Sequence, residues 1–201
     1  MNVAARSFKE NGFQTLIFKK AADVRAAFAE RLAKVDSVGF GGSATLRELE
    51  LDVVAEDADV HFHNHWRPGL SSEEEWQERL AQGRADLFLT SANAATIDGQ
   101  LVIVDGVGNR LAAAVFGPRE VIFVLGENKI VRNLDAALQR VKRVAAPQRA
   151  RQLDASTPCT SDGRCHDCRA PSRICRSTLI IERPSFGMRV DVWLVRANLG
   201  L

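Results

Sequence analysis

Short apolar runs alternating with amphipathic segments constrain this chain more than any other feature of its sequence. "SVGF" (37–40), "ADLFLT" (85–90) and "EVIFVLG" (120–126) read as buried strands. Between the first of these and the N-terminus, "AADVRAAFAERLAKV" (21–35) repeats Val24, Ala27, Phe28, Leu32 and Val35 at three- and four-residue intervals, the pattern of a helix with one apolar face. "SSEEEWQERLAQG" (71–83) starts a helix with a serine cap and three early glutamates, which suit the positive end of its dipole. Strand followed by helix, repeated, specifies an α/β fold with a mostly parallel sheet and helices on both faces.

The rest of the chain fits this scheme. Residues 2–11 read as a short helix ended by Gly12, and "FQTLIF" (13–18) as a strand. "GGSATLRELELDVVAE" (41–56) turns sharply into one helix, and "ADVHFH" (58–63) is a further strand. "SANAAT" (91–96) reads as a turn or helical corner, followed by "IDGQLVIVDG" (97–106), strand pairing across the Asp98-Gly99 turn. Asn109 is placed to cap "RLAAAVFG" (110–117), and residues 133–153 form a helix that Pro147 ends or kinks. A Cys-rich loop follows, then two closing strands, "STLIIE" and "RVDVWLV", joined by a Pro-Ser-Phe-Gly turn. Residues 1–153 thus make an α/β domain, and residues 154–201 carry a four-cysteine segment plus two strands that complete the same domain.

At 201 residues and 46% hydrophobic content the chain can bury a proper core without covalent staples. A net charge of +2 gives no global field for nucleic acid, and the cysteine loop lacks aromatic stacking groups, so nucleic-acid binding ranks last. The first twenty residues lack the pattern of a secretory signal, and no stretch approaches the roughly 20 apolar residues of a membrane span. A reducing cytoplasmic setting without membrane attachment is the expectation, and a homo-oligomer stays open.

Gly39, Gly41 and Gly42, with Ser43 and Thr45, lie between a strand and a helix. Such a turn lets backbone N–H groups approach an anion; equally, it is a tight turn with Ser43 as N-cap. The spacing matches neither a dinucleotide fingerprint nor a Walker A loop.

"VGFGGSATLREL" (38–49), the long block from "DLFLTSANAATIDGQ" to "VLGENKIV" (86–131), and "TPCTSDGRCHDCRAPSRIC" (157–175) together resemble the LUD (lactate utilization) domain family over nearly the whole chain. The resemblance implies a fold related to NagB, ribose-5-phosphate isomerase and the CoA transferases. It also implies association with bacterial lactate oxidation, and hence partners among the iron–sulfur or oxidoreductase subunits of such a system. The cysteine-bearing segment departs from the simplest, cysteine-free members. No glutamate aligns with the nucleophile of CoA transferases, so covalent acyl transfer has no support.

The central block gathers Asn93, Asn109 and Arg110 around turns, where an amide pair and a guanidinium can hold a carboxylate or phosphate. Asp98 and Asp105 read first as turn residues. Lys129 follows a strand and can pair with an anion or stand in solvent. Gly41, Gly42, Ser43, Thr45, Asn93, Asn109, Arg110 and Lys129 are therefore the candidate site for a small carboxylate, phosphorylated or CoA-linked ligand. His61, His63 and His65 alternate, which on an extended chain puts three imidazoles on one face, as a metal site or as a surface feature.

Cys159, Cys165, Cys168 and Cys175 occupy seventeen positions with spacing Cx5C, CxxC and Cx6C. Four thiolates suit an iron–sulfur cluster, of the 4Fe-4S type first, or tetrahedral zinc; a disulfide or free thiols is the remaining option. The readings are an anion-binding α/β domain with a metal centre, an iron–sulfur redox accessory without its own substrate, or a zinc-stapled partner protein.

Overall fold

A computed structural model describes all residues 1–201. In chain order the elements are α1 (Asn2–Glu10), β1 (Gln14–Phe18), α2 (Ala21–Leu32), β2 (Ser37–Phe40), α3 (Ala44–Glu48), α4 (Leu51–Glu56) and β3 (His61–His63). Then come α5 (Ser72–Gln82), β4 (Leu87–Thr90), β5 (Ala94–Thr96), β6 (Leu101–Asp105), α6 (Asn109–Val115) and β7 (Glu120–Gly126). The chain ends with β8 (Ile130–Val131), α7 (Leu134–Arg140), α8 (Ala146–Gln152), α9 (Cys159–Asp162), β9 (Ser177–Ile181) and β10 (Arg189–Val195).

Six strands form one parallel sheet in the order β1-β10-β7-β4-β2-β3. Alternate residues of β7 go to opposite cores, Val121, Phe123 and Leu125 to one side and Ile122 and Val124 to the other. This is why its sequence is apolar without interruption. One core is closed by Val24, Phe28 and Leu32 of α2 together with Leu46, Leu49, Leu51 and Ala55. The other is closed by Phe8 of α1, Ala113 and Ala114 of α6, and a second sheet of order β8-β5-β6-β9. Helices thus cover both faces, and on one face they share the cover with a small sheet. No helix is long and apolar enough to cross a membrane.

Four local readings change. "SANAAT" contains strand β5, paired antiparallel with β6 at Ala94–Val102 and Ala95–Leu101. Its two alanines carry no strand propensity; pairing and complete burial decide its state. The helix expected over 41–56 breaks into α3 and α4 at Glu50, whose left-handed φ of 57° lets Leu49 and Leu51 both reach the core. Of the two outcomes expected at Pro147, an end to the helix does not occur, and the helix is distorted instead. The proline lacks the N–H for a bond to the previous turn, and the chain widens before it into a π-helical stretch, Val141–Ala145, that runs into α8. Asn109 is the first residue of α6 rather than its cap, a place taken by Gly108 at φ 99°.

The two closing strands go to different sheets. β9 pairs antiparallel with β6, whereas β10 lies between β1 and β7 in the main sheet. Truncating a side chain shared by these layers should be costly. Phe123→Ala, at a fully buried position, is expected to lower unfolding stability by about 3–5 kcal/mol, read from urea midpoints at unchanged slope.

Candidate functional site

From β2 the chain leaves toward β3 at one edge of the sheet, and from β4 it leaves toward β7 on the other side. The carboxyl ends of these adjacent strands therefore part company, the position where open α/β sheets leave a crevice. Gly41, Gly42 and Ser43 follow β2, and Ser91 and Asn93 follow β4. A cleft of about 440 Å³ lies there, lined by Gly42, Asn93, Asn109 and Arg110 among the expected residues. A recess of about 70 Å³ shares Gly42, Asn93 and Arg110 with that cleft and adds Ser43, Ser91 and Lys129. Segments widely separated in sequence thus meet at one place.

The glycines serve close packing of side chains. A Cβ on Gly41 would stand 2.8 Å from Arg110 Cγ, and one on Gly42 would stand 2.6 Å from Trp66 Cζ2. The N–H of Gly41 is already spent on the Leu89 carbonyl, at 2.9 Å. Ser43 occupies the cap position of α3 without making a side-chain cap bond, and its buried hydroxyl has no partner. Asn93 uses its side-chain oxygen to accept from the Val104 N–H at 2.8 Å.

Three arginines line the cleft: Arg79 of α5, Arg110 of α6 and Arg149 of α8. Arg110 donates through Nε to Asp105 at 2.9 Å and through Nη2 to the Val104 carbonyl at 2.7 Å, which leaves Nη1 without a protein partner. Although burial opposes its charge, Arg110 and N–H bonds from Val107 and Gly108 hold the Asp105 carboxyl below its usual range. Arg79 pairs with Glu75. Arg149 bonds only the Gln152 side-chain oxygen, at 3.0 Å, and has no carboxylate partner; burial, with Arg47 and Arg110 nearby, lowers its pKa. Arg47 stacks on Trp66 at 3.9 Å from the ring centroid, giving the cleft a cation–π wall.

Lys129 is buried rather than solvated, only 4% exposed. Its Nζ donates to Thr45 Oγ1 at 2.8 Å and to Ser91 Oγ at 3.0 Å. Burial, with Arg140 and Arg110 near and Glu48 opposing them, lowers its pKa to about 7. Thr45 thus lies behind the recess as a partner of the amine.

The histidines part company. β3 stops at His63, so His61 and His63 meet edge to face at 4.7 Å, while His65 turns into the cleft beside Trp66. There its Nδ1 lies 2.7 Å from Gln82 Nε2, and burial, with Arg79 nearby, lowers its pKa. Arg149, Trp66 and Arg79 are cleft residues that sequence spacing does not single out, because each lies on a different element, whereas His65 is marked only by its alternation with His61 and His63.

All four cysteines are free and half-buried, and they line one small cavity together with His166 and Arg173. The Asp167 N–H donates to Cys165 Sγ at 3.4 Å, and the Thr157 hydroxyl lies 3.3 Å from Cys159 Sγ. Arg173 ties the loop by donating to the Cys168 and Cys175 carbonyls, at 2.7 and 2.8 Å. The Cys175 sulfur, then the ion pair with Asp167, raise the pKa of Arg173. By residue type and N–H···S bonding these four thiols suit a thiophilic metal. No three His, Cys, Asp or Glu side chains are yet arranged to hold an ion. Cys175 and Ile174 also line the large cleft, so the cysteine loop and the cleft arginines share a wall.

An open α/β sheet with a polar crevice at its switch point, extended by a cysteine loop, is the class this fold and site define. The LUD domain family matches residues 1–192, and the chain belongs to that family. No curated protein matches. Among solved structures, a DUF162 family protein from Deinococcus radiodurans is similar at a TM-score of 0.56 and 18% identity, covering 96% of this chain and 94% of that one. That likeness extends to the fold.

The buried amine makes a test of the site's electrostatics. Its folded-state pKa of about 7 lies below the ordinary 10.5, so between those values the unfolded chain binds the extra proton and stability rises with pH. Lys129→Met should remove that rise and stabilise the protein at pH 7 by on the order of 2 kcal/mol after the lost hydroxyl contacts are subtracted. The gain should shrink toward pH 10. Urea midpoints of both proteins at the two pH values measure it.

Proposed function

We propose that this LUD-domain protein serves lactate or organic-acid utilization in the cytoplasm by binding a small anion in the cleft between the ends of β2 and β4. A carboxylate is the preferred group, ahead of a phosphorylated or CoA-linked one. The observation that carries the reading is Arg149, a half-buried guanidinium on the cleft with no carboxylate partner, while Arg110 and Arg79 each have one. Arg110 Nη1 supplies a second unfilled donor. Two guanidinium groups can hold a carboxylate through charge-assisted hydrogen bonds, and Asn109 adds an amide at the same wall.

Cys159, Cys165, Cys168 and Cys175 would hold the metal centre, an iron–sulfur cluster in this reading. When bound, such a cluster supplies one-electron redox chemistry beside the ligand, with an oxidoreductase subunit as the electron partner. The position of Cys175 on both cavities supports a centre that faces the cleft. Zinc on the same thiolates is the second reading, favoured by the CxxC pair with its N–H···S bond, and it would make the loop a structural element.

Two measurements test these readings. Calorimetric titration with lactate, pyruvate, phosphate and CoA should show binding of the carboxylates, weakened tenfold or more by Arg149→Ala, about 1.5–3 kcal/mol for a charge-assisted hydrogen bond. No heat from any of the four removes the anion site. Anaerobically purified protein should carry iron and acid-labile sulfide and absorb in the visible range, and Cys168→Ser should lose both; a colourless protein with stoichiometric zinc selects the second reading.

A further inference from the structure

We propose that Lys129 is a nucleophile that forms an imine with the ketone carbonyl of a short 2-oxo acid bound in the recess off the main cleft. The assignment rests on the reading of the cleft as a carboxylate site and adds to it a covalent step at a particular nitrogen.

The geometry comes first. Lys129 Nζ has two hydroxyl partners, Thr45 and Ser91, and no carboxylate within ion-pair reach. A neutral amine has two N–H bonds and one lone pair. With both N–H groups accepted by hydroxyls, the lone pair is the one unpledged position on the nitrogen. Lys129 lines the recess beside Ser43, Asn93, Arg110 and Arg149. A recess of about 70 Å³ has room for about five water-sized centres, the scale of a three- or four-carbon acid. The guanidinium groups suit the carboxylate of such a molecule, which leaves its adjacent carbonyl for the amine. Ser43, 5% exposed and with its hydroxyl unpartnered, lines the same recess and is a donor for the carbonyl oxygen.

The other walls keep the amine buried. Gly200 passes so close that a Cβ there would stand 3.2 Å from Lys129 Nζ and 2.4 Å from Thr45 Oγ1. Asn128 and Arg140 hold residues 199–201 in place by bonds to their carbonyls. Burial then favours the uncharged amine, helped by Arg140 and Arg110 and opposed by Glu48, so that about half of it is neutral at pH 7.

The chemistry balances without an oxidant. The nitrogen lone pair attacks the carbonyl carbon, and a proton passes from nitrogen to the former carbonyl oxygen to give a carbinolamine. A second proton transfer lets that oxygen leave as water, the C=O bond is replaced by C=N, and hydrolysis reverses the sequence. A 2-hydroxy acid has no ketone carbonyl and can occupy the recess only without reacting.

The test uses the full chain with pyruvate as probe and sodium cyanoborohydride as trap, followed by peptide mass spectrometry. The expected result is one reduced pyruvyl adduct per chain, located on Lys129, absent from Lys129→Arg and suppressed by excess lactate. Because the adduct is located in the unmodified protein, the result does not depend on how the variant folds. Labelling spread over exposed lysines such as Lys34 and Lys142, with none enriched at Lys129, overturns the proposal. If calorimetry shows pyruvate and lactate binding but no adduct forms on Lys129, the imine fails while the carboxylate site stands. If neither acid binds, both fall together.

Discussion

The position of β10 is the constraint on which the rest of the structure depends. β1 bonds to the main sheet through β10 alone, and β10 bonds β7 on its other side. Its side chains serve both cores: Val190, Val192 and Leu194 on one, Trp193 and Val195 on the other. The preceding strand, β9, lies in the second sheet against β6. The chain after the cysteine loop therefore stitches two sheets together. The loop is consequently anchored at both ends, by α8 before it and β9 after it, although none of residues 159–175 is fully buried. A loop of this kind has no core of its own, and metal binding is one of the few means by which it can gain rigidity.

The same topology explains where polar groups can be concentrated. The interior of a parallel sheet is occupied by apolar side chains, and its connecting segments must start at strand ends. At the ends of β2 and β4 those segments run in opposite directions, and the gap is filled by Ser43, Ser91, Asn93 and the side chains of Arg110 and Lys129. Buried polar groups are costly unless paired. Here Lys129 is shared between two hydroxyls and Arg110 between a carboxylate and a carbonyl, while Ser43 and Arg149 keep capacity in reserve. Those unfilled donors lie at the crevice, although Thr15 Oγ1 and Trp193 Nε1 in the main sheet are also buried without partners.

Much of the fold was legible in the sequence, and the reasons are local. "EVIFVLG" could only be a strand buried on both faces, and α5 announced itself through Ser71 and Glu74, which form a complete capping box. The failures were also physical. Ala94–Thr96 became a strand because partners on two sides bury it, information that three small residues do not carry. The break at Glu50 and the π turn before Pro147 are adjustments of helices to the surfaces they cover. For the site, Asn93, Asn109, Arg110 and the glycine turn could be found because turns at strand ends are where ligands are met. Lys129 could be read as an anion partner or as a solvated lysine, since its burial is produced by Thr45, Ser91 and Gly200, all distant in sequence. Arg149 and Trp66 had no local mark at all: one lies on a basic helix and the other beyond a short strand, and only the packing of α8 across the crevice brings them together.

The cysteine loop and one cleft arginine both bond to Asp105. The Arg176 N–H donates to the Asp105 carbonyl at 3.0 Å, while the Asp105 carboxylate holds Arg110 Nε at 2.9 Å. Gly106, next in the chain, lies under the Ile174 carbonyl so closely that a Cβ would stand 2.8 Å from it. These contacts join the last residues of the loop to the first turn of α6 with no flexible intermediate. Asp105 thus meets the end of the loop through its carbonyl and Arg110 through its carboxylate, whereas Arg149 has no carboxylate to anchor it. The main sheet takes no part in these contacts, because its order depends on β10 and the two apolar cores.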